Sequence, residues 1–206
     1  MSNVRQFCIG QLEQIISLKP GMRLALAIRH NEPSWLQLAV NMLTRRTVFE
    51  LDEDVVSILP YEAYRIIAKM HAKIMADRLT LVLLPPPTIH TGECIAGPYA
   101  QTKRCEKAWE TIWKINMGER MLHPNMLARY TLDEAKEYWM GLNIEPMSTG
   151  CPELSKDNIR DSAIWGAETE TIRKVIEKLE EITRQHVVGM EEEQPTTQDE
   201  PASGEM

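Results

Sequence analysis

Residues 61–87, YEAYRIIAKMHAKIMADRLTLVLLPPP, decide the fold. From Tyr61 to Arg78, Ile66, Ile67, Met70 and Ile74 recur at helical spacing, while Glu62, Arg65, Lys69, Lys73 and Asp77 recur three or four residues apart on the other side. That is the pattern of an amphipathic helix. Leu79-Thr80-Leu81-Val82-Leu83-Leu84 then drops the helical period and stops at Pro85, Pro86 and Pro87. A short apolar run closed by prolines predicts a strand buried on both faces.

Upstream, Met22, Leu24, Leu26 and Ile28 alternate with Arg23, Ala25, Ala27 and Arg29, a period of two that predicts a first strand over 22–29. Pro20-Gly21 ends a preceding helix built on Val4, Phe7, Cys8, Leu12, Ile15 and Ile16. Asn31 as cap and Pro33 in the first turn open a second helix that buries Trp35, Leu36, Ala39, Met42 and Leu43. Thr47 to Leu51 is rich in strand formers. The expected fold class is therefore α+β, predominantly helical, with a small sheet of about three strands, read as parallel, in the N-terminal half. An all-α fold is the rival.

Downstream, Thr88 to Ala100 holds Gly92, Gly97 and Pro98 without a period and reads as a loop. Thr102 to Met117 resumes a helix with Cys105, Ala108, Trp109, Ile112 and Trp113 on one face and Gly118 as its terminator. Thr131-Leu132-Asp133-Glu134 is a capping box opening a short helix. A last helical region, about 155–187 and bent at Gly166, carries the seam Ile172, Val175, Leu179 and Ile182. The seam either packs on the body or projects toward a partner.

Residues 1–188 are expected to form one globular domain and 189–206 a disordered acidic tail. The tail holds six acids and no base, which leaves −1 of the chain's net −7 on residues 1–188. Charge thus neither proposes nor excludes a polyanionic partner. Cys8, Cys94, Cys105 and Cys151 form no CxxC pair, so reduced thiols and a cytoplasmic location are expected. With no secretory leader pattern and no apolar run of 18 residues, no membrane association is expected.

In a parallel sheet, strand ends would bring His30, Asp52, Glu53, Asp54 and His90 to one edge. There His30, Asp52, Asp54 and His90 are the catalytic candidates, as acid and base or around a divalent metal; as caps and loop residues they would do neither. His90, Cys94, Cys105 and His123 are the metal candidates, although their spacing matches no structural zinc pattern and Cys105 lies on an apolar helix face. Phosphate-binding glycine loops, GxSxG and HExxH are absent, so no cofactor is expected and the reading leans away from an enzyme. Trp109 and Trp113, beside Lys103, Arg104, Lys107 and Lys114, could stack bases, but their spacing turns them inward. The expected function is a non-enzymatic macromolecular interaction protein with an accessory, regulatory or assembly role. Its partner is a protein or a second copy docked on Ile172, Val175, Leu179 and Ile182. A metal-dependent enzyme at the strand-end cluster and a nucleic-acid-binding regulator are the alternatives.

Overall fold

A computed structural model describes residues 18–45 and 53–192, with isolated positions 7, 10 and 11, and the backbone alone for 53–55 and 186–192. Among the described residues there is no strand. The helices are α1 (Pro20–His30), α2 (Pro33–Leu43), α3 (Glu53–Ile58), α4 (Tyr61–Leu83), α5 (Gly92–Ala96), α6 (Tyr99–Met121), α7 (Leu132–Gly141), α8 (Cys151–Arg160) and α9 (Ala167–Glu192). A single 3₁₀ turn, Met126–Ala128, lies between α6 and α7.

The expected α+β class is therefore corrected to all-α. Residues 22–29 lie in α1, which begins at Pro20, as suits a residue whose missing N–H has no helical partner to lose. Its buried positions, Leu24, Ala25, Ala27 and Ile28, have helical spacing. The apparent alternation came from Ala25 and Ala27, small residues that serve as core where α1 packs on α2. Asn31 is not the cap of α2. It closes α1 in the left-handed region, φ 50°, while the Glu32 N–H returns to the Ala27 carbonyl at 2.9 Å, a terminus Asn tolerates better than most residues.

The predicted strand Leu79 to Leu84 is the end of α4, which runs unbroken to Leu83. Leucine is a strong helix former, and the run holds only two β-branched residues before the prolines. Leu81 and Val82 are buried, whereas Leu79, Leu83 and Leu84 are exposed, so the segment has two unlike faces. The third expected strand, Thr47 to Leu51, lies outside the described residues, as does the first predicted helix apart from isolated positions.

Two hydrophobic clusters organise the chain. The first joins α1 and α2 to Ala63, Ile67, Met70 and Ile74 of α4 and Val175 and Leu179 of α9. The second gathers Leu81 and Val82 around Trp109, Trp113, Trp139 and Trp165. Three of these rings meet closely: Trp139 stands nearly perpendicular to Trp109 and Trp113, with centroids 5.0 and 4.6 Å away. Trp113 donates its indole N–H to the Leu81 carbonyl and Trp109 to that of Pro86, both at 2.8 Å. Both tryptophans thus point inward, as their spacing required.

Where the clusters meet, Arg78 of α4 and Glu168 of α9 form a buried bidentate pair at 2.7 and 3.2 Å, and Glu168 also accepts the Leu132 N–H of α7 at 3.3 Å. The capping box at Thr131 and Glu134 forms as read. The expected long helix from 155 is two helices, α8 and α9, separated by a turn at 161–166. α9 continues through Gly189 to Glu192, and residues 193–206 lie outside the described residues. No helix among the described residues is long and apolar enough to cross a membrane.

Candidate metal centre

Beside the tryptophan cluster, one ligand atom each from His90, Cys94, Cys105 and Cys151 lies within 4.8 Å of the others. Three chain segments contribute, and each is placed by local chemistry. Thr91 caps the short α5, its Oγ1 accepting the Cys94 N–H at 3.2 Å, which sets Cys94 one turn from His90. Cys105 lies on the inward face of α6, one turn before Trp109. Cys151 is the first residue of α8 and follows Gly150, which caps that helix with φ 80°. A Cβ on Gly150 would meet Thr91 Cγ2 at 3.0 Å, so glycine serves here both the left-handed backbone and the close approach of α8 to the His90 segment. Ser155, one turn along α8, accepts the Ile89 N–H at 2.9 Å and donates to the Ile89 carbonyl at 3.2 Å, fastening the residue beside His90.

The two edges made by Cys94 Sγ suit a tetrahedral ion. Zinc bonds of about 2.3 Å to sulfur and about 2.0 Å to nitrogen set ligand edges of roughly 3.8 Å between sulfurs and roughly 3.5 Å from sulfur to nitrogen. Cys94 Sγ stands 3.9 Å from Cys105 Sγ and 3.5 Å from His90 Nδ1. The three cysteines are free thiols, all buried.

Backbone N–H groups point at the sulfurs, Thr91 N to Cys151 Sγ at 3.4 Å and Ser148 N to Cys105 Sγ at 3.2 Å. Such donors stabilise thiolate charge. Burial pushes the Cys94 thiol up, reinforced by the neighbouring Cys151 and Cys105 against a hydrogen bond from Ser148. Burial also opposes ionisation of Cys105, yet the side-chain and backbone hydrogen bonds of Ser148, with those of Cys94 and Cys151, bring it below its ordinary value. Thiolate is the form that binds metal.

Of the residues singled out in the sequence as metal ligands, His90, Cys94 and Cys105 come together and His123 does not. His123 is bound to its own turn, accepting the Asn125 N–H at 3.1 Å. Its place is taken by Cys151, which lies 46 residues beyond Cys105. The local signal was Gly150-Cys151-Pro152, a turn residue before a cysteine and a proline suited to a helix's first turn.

Two of the strands that would have aligned the catalytic set, 22–29 and 79–84, lie in or at the end of helices, so the expected parallel sheet edge is not formed among the described residues. His30 ends α1 in the first cluster's part of the molecule, and His90 belongs to the thiol centre. Asp52 and the Asp54 side chain lie outside the described residues. On the C-terminal helix, Val175 and Leu179 are buried in the first cluster, and Ile172 and Ile182 pack against it, so this seam is used within the chain.

No family model, curated protein or solved structure matches the chain.

Proposed function

We propose that the chain is a zinc-stabilised helical protein with a non-enzymatic role in macromolecular interaction, in which His90, Cys94, Cys105 and Cys151 hold one Zn²⁺. The observation that carries this reading is the convergence of four ligand atoms from three segments within 4.8 Å of one another, with the two edges from Cys94 Sγ to His90 Nδ1 and to Cys105 Sγ near tetrahedral length. Four protein ligands fill a tetrahedral shell and leave no position for water or substrate, which distinguishes a structural ion from a catalytic one. Reduced, buried thiols suit the cytoplasm, where zinc rather than a disulfide is the usual cross-link.

The interaction half of the reading draws support from the end of α4, where Leu79 and Leu83 share one exposed helix face and Leu84 extends it. Metal-dependent catalysis at the strand ends loses its basis with the sheet. Base stacking by Trp109 and Trp113 loses its basis with their burial.

Metal analysis of the protein purified under reducing conditions, loaded with zinc and desalted, tests the reading. One zinc per chain is expected for the native protein and for His123→Ala, and a marked loss for Cys151→Ser. Substoichiometric zinc in the native protein, or equal loss in His123→Ala and Cys151→Ser, would overturn it.

A further inference from the structure

We propose that Glu106 is a positioning residue for the metal centre, holding the His90 ring so that Nδ1 faces the ion; this rests on the zinc reading above. The two nitrogens of His90 look in opposite directions. Nδ1 lies 3.5 Å from Cys94 Sγ, on the ligand side, and Nε2 lies 3.7 Å from Glu106 Oε1. A metal on Nδ1 leaves the neutral ring's proton on Nε2, which makes that nitrogen a donor in need of an acceptor. Metal-bound histidines commonly donate this second N–H to a carboxylate, which fixes the tautomer and the ring plane.

Glu106 is built for that task by its place in the chain. It follows Cys105 directly, so the same turn of α6 that presents a ligand thiol also presents the carboxylate. Its other oxygen, Oε2, accepts from Lys103 Nζ at 2.9 Å, one turn earlier. Lys103 also answers an electrostatic objection. Three thiolates, a neutral imidazole and Zn²⁺ sum to one negative charge, which would repel a bare carboxylate, and the lysine offsets it. His90 is the partly exposed ligand beside three buried cysteines, so its ring has the least surrounding packing to hold it and the most to gain from a fixed partner.

Chelator competition on the zinc-loaded full chain reads the effect. Glu106→Ala is expected to bind zinc about 10 to 100-fold more weakly than the native protein, still at one per chain. Glu106→Gln, which keeps an acceptor oxygen at the same reach, is expected to recover most of the loss. Nitrogen NMR of the His90 ring supplies a signature that a merely structural residue would not move: the Nε2 proton, slowly exchanging in the native zinc form, exchanges fast in Glu106→Ala. Unchanged zinc affinity and unchanged proton exchange in Glu106→Ala, with the native protein fully loaded, overturn this proposal alone. A native chain that takes up no zinc overturns both.

Discussion

Glu168 accepts three hydrogen bonds from two other elements, two from Arg78 and one from the Leu132 N–H, with both charged side chains buried. Removing one member of such a pair strands a charge in the core. Glu168→Ala is expected to cost about 3 to 5 kcal/mol by denaturant unfolding, and the double replacement Arg78→Met with Glu168→Leu distinctly less. Equal costs would mean that the pair is not what the site depends on. At Gly150 the backbone rather than a side chain is at stake. Alanine there meets both a φ of 80° and Thr91 Cγ2, so Gly150→Ala is expected to lose about 1 to 2 kcal/mol and to weaken zinc binding, since Cys151 is the next residue.

At this scale the sequence was legible where partners are local. Thr131 and Glu134 lie three residues apart and form their box. Cys151 was missed because its ligand partners lie 46 to 61 positions upstream, a distance no linear motif spans. His123 was included as a ligand-type residue downstream of Cys105, although the spacing matched no zinc pattern.

At the scale of elements, α4 decides between the two readings of the opening stretch. A strand buried on both faces would make Leu81 and Leu83 equally costly to change. In the helix Leu81 is buried and Leu83 exposed, so Leu81→Ala is expected to cost about 2 to 5 kcal/mol and Leu83→Ala to stay within about 0.5 kcal/mol. Comparable losses at both positions would restore the strand. The run misled because six residues are too few to separate a buried strand from the last turns of a helix by period alone. Residues 22–29 misled for another reason: alanine scores as the weak half of an alternation, yet Ala25 and Ala27 are core. The seam of α9 was read correctly as apolar, and its packing follows from burial. Leu179 is fully enclosed, and Leu179→Asp is expected to cost more than about 4 kcal/mol and unfold the chain by circular dichroism. A folded variant that merely changes oligomeric state would place the seam between molecules.

For the whole molecule, a metal ion on the proposed ligands would fasten the His90 segment, α6 and α8 to one another on the tryptophan cluster, while the first cluster has no share in the ligands. Zinc is therefore expected to stabilise the folded chain by mass action. At free zinc a thousandfold above Kd this amounts to about 4 kcal/mol, or roughly 8 to 16 °C in Tm for a chain of this size. Trp109 lies one turn from Cys105, so tryptophan fluorescence is expected to report the same transition as chelator is added. The central claim is the ligand set itself, and X-ray absorption at the zinc edge of the reduced, desalted protein tests it most directly. The account predicts one zinc per chain with three sulfurs at about 2.3 Å and one nitrogen at about 2.0 Å, and in Cys151→Ser a shell short of one sulfur. A shell dominated by oxygen, or one unchanged in Cys151→Ser, would contradict it.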